Sequence, residues 1–265
     1  MTAPEQIHTR IWDEEAEPDN PFATRAAYCR GYDVYGEMLG RARWVEMLYL
    51  LFREEAPPPA AADLLEALAV ALANPGPRDA SVHAAMCGGV GGSPAAACLM
   101  AALGVGAGQL AGSREVLLAR EAWAACGTDL DAWRRRIAEP TAEVASIWPA
   151  SQHFPGFDPH ADHASQIVQQ TLTTLAQLSP GPYLPWLNRN QADLEAAVGH
   201  PLALLGVAAA AFADLGFSAE QSEMLTLLLR LPGAAAHALE QRAGGYKSFP
   251  FFKIELQTND EDAHP

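Results

Sequence analysis

Basic side chains are scarce in this chain. Its 265 residues hold 17 Lys and Arg against 32 Asp and Glu, for a formal net charge of −15. Such a surface repels phosphate backbones and anionic lipids, and Arg134-Arg135-Arg136 is the only basic cluster, so neither nucleic acid nor a membrane is expected as a partner. The four cysteines form no CxxC pair, and three of them lie in Ala-rich apolar settings where a free thiol behaves as a small hydrophobe. That usage suits a reducing cytoplasm. The first residues lack both a basic and an apolar leader region, so no export is expected. No series of alternating strands is visible either, which leaves an all-α class. The length allows one large domain or two lobes, and two lobes are expected.

What the chain has in abundance is alanine and glycine, above all between Ala80 and Glu115. No formal charge falls between Ala80 and Ser113. Small side chains let another backbone approach closely, so this stretch reads as a buried helical hairpin broken at Gly88–Gly92, where subunits or domains meet. A membrane span is the rival reading, but repeated glycines, Ser93-Pro94 and the lack of flanking basic clusters argue against it. Before the hairpin, the acidic, Pro-containing segment up to residue 30 reads as an irregular arm. Trp44, Val45, Leu48, Leu51 and Phe52 repeat at helical spacing, and Leu64, Leu65, Leu68 and Leu72 give the next helix after Pro57-Pro58-Pro59. Ser113 is a candidate N-cap for a helix through Trp123, and Asp129–Ile137 is a short polar helix. Further helices are expected over Ile167–Leu178 and, beyond the Pro-rich crossing Ser179–Trp186, from Pro201 to Leu215. Ser218 and Gln221 form a capping box opening a helix to Arg230, and Pro232 is read as the first-turn residue of the next helix.

The loop between Pro140 and Asp162 is rich in Pro, His and aromatics, and long loops inside compact domains often carry function. His153, Asp158, His160, Asp162 and His163 are the densest polar group in the chain. Asp158 as base with His153 or His160 as donor would make an acid–base pair; equally, Asp158-Pro159 could form a simple turn with solvated histidines. His160 and His163 with a carboxylate also have a spacing open to a metal, although no metal is expected. Gln109 at the end of the central helix could donate to a thioester or ketone oxygen, or satisfy a buried helix end. Arg114 could hold a ligand carboxylate while Glu115 fixes the turn, or the two could be a surface ion pair.

The segment Arg230-Leu231-Pro232-Gly233-Ala234-Ala235-Ala236-His237-Ala238-Leu239-Glu240-Gln241 resembles the C-terminal RxxGxxAHxxEQ helix of the citrate synthase superfamily, in particular its short citryl-CoA lyase-like members. Arg30-Gly31-Tyr32-Asp33, the helix from Val45 to Leu51 and Asp214-Leu215-Gly216-Phe217 are similar to further segments of that family in the same order. The resemblance implies an all-α fold with an N-terminal arm (1–27), a large lobe (28–111 and 202–250), a small lobe (112–201) and an acidic tail (251–265). It implies a homodimer built on the central helices, with no tightly bound cofactor. The implied reaction is Claisen-type carbon–carbon bond formation or cleavage on an acyl-CoA, with the CoA thioester as substrate, and a small 2-oxo or tricarboxylic acid. The family's proton-abstracting Asp and two His are not reproduced. Leu110 stands at the first His position, the second His loop is shortened around Gly156 to His160, and Ala203-Leu204-Leu205 stands where the Asp is sought. The resemblance therefore implies a substituted site in which Gln109, His153, Asp158 and His160 serve the reacting centre, and Arg230 with Arg114 binds substrate. A catalytically silent member that binds a metabolite, or regulates a homologous active subunit, is the second implication.

Overall fold

The computed structural model describes residues 8–139 and 153–248. Two short antiparallel strands come first, β1 (Trp12–Ala16) and β2 (Thr24–Cys29), and a two-residue β3 (Tyr32–Asp33) completes the sheet. The expected irregular arm is thus an ordered hairpin. Its polar sequence hides a weak alternation, in which Ala27 and Cys29 turn inward while the neighbouring side chains of β2 stay more exposed. Helices follow: α1 (Trp44–Phe52), α2 (Pro59–Leu72), α3 (Ala80–Val90), α4 (Ala95–Gly106), α5 (Ser113–Cys126), α6 (Leu130–Ala138), α7 (Gln166–Leu178), α8 (Tyr183–Val198), α9 (Leu204–Asp214) and α10 (Ala219–Gly244). Among the described residues the fold is all-α apart from the small N-terminal sheet and one isolated bridge between Phe157 and Leu202.

It divides into two compact units, one drawn from Met1–Asn74 and Gly106–Arg230, the other from Pro75–Val105 and Leu231–Pro265. In the first, α9 lies against α2, α5, α7 and α8. Every residue from Leu205 to Ala213 is buried, because alanines at 208–211 let the surrounding helices close in on all sides. Around it Trp123 meets Trp133, Tyr183 and Trp186 edge-on, with centroids 4.7, 5.4 and 5.8 Å away. Buried residues of the first unit from Val45 through Trp123 and Leu175 to Leu229 share this one core.

Local signals account for several helix ends. Ser218 and Gln221 close the expected capping box, with Gln221 N donating to Ser218 Oγ (3.1 Å) and Ser218 N to Gln221 Oε1 (2.9 Å). Gly112, not Ser113, is the N-cap of α5. Ser113 is drawn inside the first turn, where its Oγ is buried without a hydrogen-bond partner among the described residues. Pro232 does not begin a helix but lies inside α10. The helix loses the amide that proline lacks and continues through it. The expected crossing Ser179–Trp186 is shorter than its prolines suggest, and α8 starts within it at Tyr183. Asp214 at the end of α9 accepts from the amides of Tyr183 and Leu184 (both 2.8 Å) and from Ser179 Oγ (2.6 Å), a cap supplied from 31 residues away.

The second unit holds the glycine-rich hairpin, with the chain turning at Gly91–Pro94 between α3 and α4. Gly89 marks the close approach anticipated from composition, since a Cβ there would lie 2.1 Å from the carbonyl oxygen of Ala238 on α10. Val82, Ala85, Met86, Cys98 and Ala102 pack with Ala234 and Ala238 into a second, smaller core. The hairpin is buried on one side only, leaving Met100 63 % exposed. Among the described residues, no helix is long and apolar enough to cross a membrane.

Candidate functional site

The turn between α4 and α5, residues 107–112, is the centre of a dense buried polar network that joins several of the candidate residues. Ala111 adopts a left-handed backbone (φ 54°), a conformation that costs a residue with a Cβ about 1 kcal/mol and needs outside support. Gly112 follows it, and a Cβ there would sit 2.2 Å from the carbonyl oxygen of Gly108. Glu115, in the first turn of α5, reaches back so that its Oε2 accepts from Ala111 N (2.9 Å). Arg230, buried near the middle of α10, donates from Nη1 to the Ala111 carbonyl (3.1 Å). The strained residue is therefore held from both of its peptide groups.

The second oxygen of Glu115 crosses to the loop after residue 152. Oε1 accepts from Gly156 N (3.0 Å) and lies 3.5 Å from His153 Nε2, with both side chains almost wholly buried. Burial pushes the Glu115 carboxyl above the ordinary 4.5, opposed by the amides of Gly156 and Ala111 and by the neighbouring imidazole. Gly156 (φ 91°) is pinned in turn against α9: its carbonyl accepts from Ala203 N (2.9 Å), and Asp158 N donates to the Pro201 carbonyl (2.8 Å). A Cβ on Gly206 would stand 2.2 Å from that Gly156 oxygen. One carboxylate thereby ties the 107–112 turn, the 153–158 loop and, through that loop, the start of α9.

The candidate residues separate on this geometry. Arg230, His153 and the turn that carries Gln109 belong to one network, although the Gln109 side chain is exposed. Asp158 and His160 do not join it. Asp158 Oδ1 accepts from the backbone N of His160 (2.9 Å), so the carboxylate serves its own turn, and the His160 side chain is exposed. Arg114 is exposed and meets Glu223 at 3.5 Å. Leu110 is 65 % exposed on the turn, and Leu205 is buried in α9. Among the described residues no three His, Cys, Asp or Glu side chains gather to hold a metal. The basic triplet pairs locally, Arg134 with Asp131, Arg135 with Asp129 and Arg136 with Glu139. The sequence pointed to Glu115 only as a residue fixing the turn; its bonds to Gly156 and His153, 41 and 38 positions away, carry no local signal.

This helical fold has a citrate synthase-like architecture. No protein-family model and no characterised protein sequence matches the chain. Solved structures do. Citryl-CoA lyase from Hydrogenobacter thermophilus is similar with a TM-score of 0.71 at 17% identity, over 98% of this chain and 98% of that one. ATP citrate lyase from Methanothrix soehngenii, in complex with citrate and coenzyme A, is similar with a TM-score of 0.74 at 17% identity, over 100% of this chain. The D541A mutant of ATP citrate lyase from Methanosaeta concilii, in complex with (3S)-citryl-CoA, gives 0.69 at 17% identity over 99% of this chain. This chain spans 44% and 43% of those two ATP citrate lyase chains. At such identity the likeness is one of fold: this chain has the citryl-CoA lyase-like fold.

Proposed function

We propose that this protein acts on an acyl-CoA and a small 2-oxo or tricarboxylic acid, forming or cleaving a carbon–carbon bond by Claisen-type chemistry in a rebuilt site. The observation that carries the reading is the network from Arg230 through Ala111 and Glu115 to His153, on a fold whose solved examples hold citrate, coenzyme A or citryl-CoA. In the cleavage direction a base takes the hydroxyl proton of a citryl thioester, the carbon–carbon bond breaks to a 2-oxo acid, and the thioester enolate left behind is protonated. His153, oriented by a buried carboxylate, is the group suited to that proton traffic. Arg230 grips a substrate carboxylate, and Gln109 donates to the thioester oxygen. The protein works as a cytoplasmic homodimer on α3 and α4, for which Met100 and Val105 offer exposed apolar surface.

A second reading, a silent member that binds a metabolite or serves a homologous active subunit, is favoured by one specific observation. The two acids nearest the network, Glu115 and Asp158, are both committed to backbone amides. Calorimetric titration with acetyl-CoA and with oxaloacetate or citrate, singly and together, followed by a free-CoA release assay, separates the two. Saturable binding with CoA release supports the enzyme, and binding without release supports the silent member. No binding of either ligand refutes both. Arg230→Met keeps the packing volume and removes the guanidinium. It is expected to weaken citrate binding by about tenfold or more, the scale of a lost charge-assisted hydrogen bond.

A further inference from the structure

Within the first unit, α1 and the first half of α10 line an open cleft of about 650 Å³ beside the N-terminal sheet. Its walls are apolar, chiefly Trp44, Leu48, Leu51, Phe52 and Leu228, and only Arg30 and Gln221 among the lining side chains are polar. Gln221 is spent at both ends, on Ser218 N (2.9 Å) and on the Phe52 carbonyl (2.7 Å). Arg30 is not. Its backbone is left-handed (φ 51°), and it is strapped to the start of the chain by its own N–H on the Ile11 carbonyl (2.9 Å) and by Nη1 on the Arg10 carbonyl (3.2 Å). Those bonds leave the opposite edge of the guanidinium, Nε and Nη2, without a partner among the described residues, and Nε is buried.

Two costs meet at one residue. A left-handed arginine is disfavoured by about 1 kcal/mol, and a buried N–H without an acceptor costs about 1–3 kcal/mol. Strain and orphaned donors persist where something else compensates them, and a parallel pair of N–H groups is the geometry that a carboxylate fills with both oxygens. An apolar cleft of this size with one unmatched cation is complementary to an organic acid with a hydrophobic body. We propose that this cleft is a second binding site, separate from the CoA-thioester chemistry, for a free aliphatic carboxylic acid of medium chain length. Its carboxylate sits on the Nε and Nη2 edge of Arg30 after a small rotation of the guanidinium, and its chain lies against Trp44, Leu51 and Leu228.

Octanoate and octanol share the apolar body and differ in the charge, so calorimetric titration of the full chain with each reads the arginine directly. Octanoate is expected to bind saturably and at least about tenfold more tightly than octanol. Arg30→Asn is expected to remove that preference, because asparagine tolerates the left-handed backbone and lacks the guanidinium. Leu228→Trp, which narrows the cleft against the proposed chain path, is expected to weaken both. The proposal is overturned by equal affinity for the two probes, by an unchanged preference in Arg30→Asn, or by no saturable octanoate binding at all. If the arginine variant does not fold, the comparison of the two probes on the wild-type protein decides.

Discussion

Replacing Glu115 by glutamine tests the network at its joint. The carboxylate gives one oxygen to Ala111 N and the other to Gly156 N, at 2.9 and 3.0 Å in a site closed to water. Glutamine fits the space but has a single carbonyl oxygen, so one of the two backbone donors must face its NH2 group. A buried donor left unmatched costs about 1–3 kcal/mol, and the surviving bond loses its charge assistance. The expected loss is about 2–3 kcal/mol, or a fall of about 5–10 °C in melting temperature for a chain of this size. The pH dependence sharpens the test. Burial holds the Glu115 carboxyl above 4.5 in the folded state, so folding keeps a proton that the unfolded chain releases first. Wild-type stability from this group is whole below 4.5 and falls as pH rises through the folded value. Even a protonated carboxyl keeps an acceptor lone pair on each oxygen, whereas glutamine never does and does not titrate. The deficit of Glu115→Gln is therefore greatest at the acid end and narrows as pH rises. Urea unfolding followed by circular dichroism at several pH values measures it. A deficit below about 0.5 kcal/mol, or one that widens with pH, refutes the reasoning.

Gly206→Ala places a methyl 2.2 Å from the Gly156 carbonyl oxygen, which is backbone and must shift; the expected cost is about 1–3 kcal/mol in urea unfolding, with weaker citrate binding if the 153–158 loop moves with it. Asp158→Asn keeps an acceptor for His160 N, so stability is expected to hold within about 0.5 kcal/mol and any CoA release within about twofold. A collapse of CoA release in that variant would instead return Asp158 to the role of base.

Much of the fold was legible because its signals are local. The apolar spacing of Trp44 to Phe52 marks α1 from end to end, and the Ser218–Gln221 box sets the start of α10. Where the deciding partner is remote, the reading strayed. The cap of α8 comes from Asp214, and Pro232 lies inside α10, whose first half gives Leu225 and Leu229 to one core and whose second half gives Ala234 and Ala238 to the other. The candidate site follows the same rule. Arg230 stands in a long motif and could be picked out, but whether His153 or Asp158 points inward depends on Glu115, whose two oxygens join segments that no periodicity connects. Asp158 and His160 looked promising because they are close in sequence, and that closeness is what lets the carboxylate cap the turn instead.

The encasement of α9 bears on how this chain can change over time. A helix with one wet face can drift there freely, but from Leu205 to Ala213 there is no such face, and most of the side chains are already as small as a helix tolerates. Growth at any of these positions is blocked from every direction at once. The segment acts as a fixed spindle for its neighbours, and variation must accumulate in the helices around it, by compensating pairs, while the spindle itself stays still.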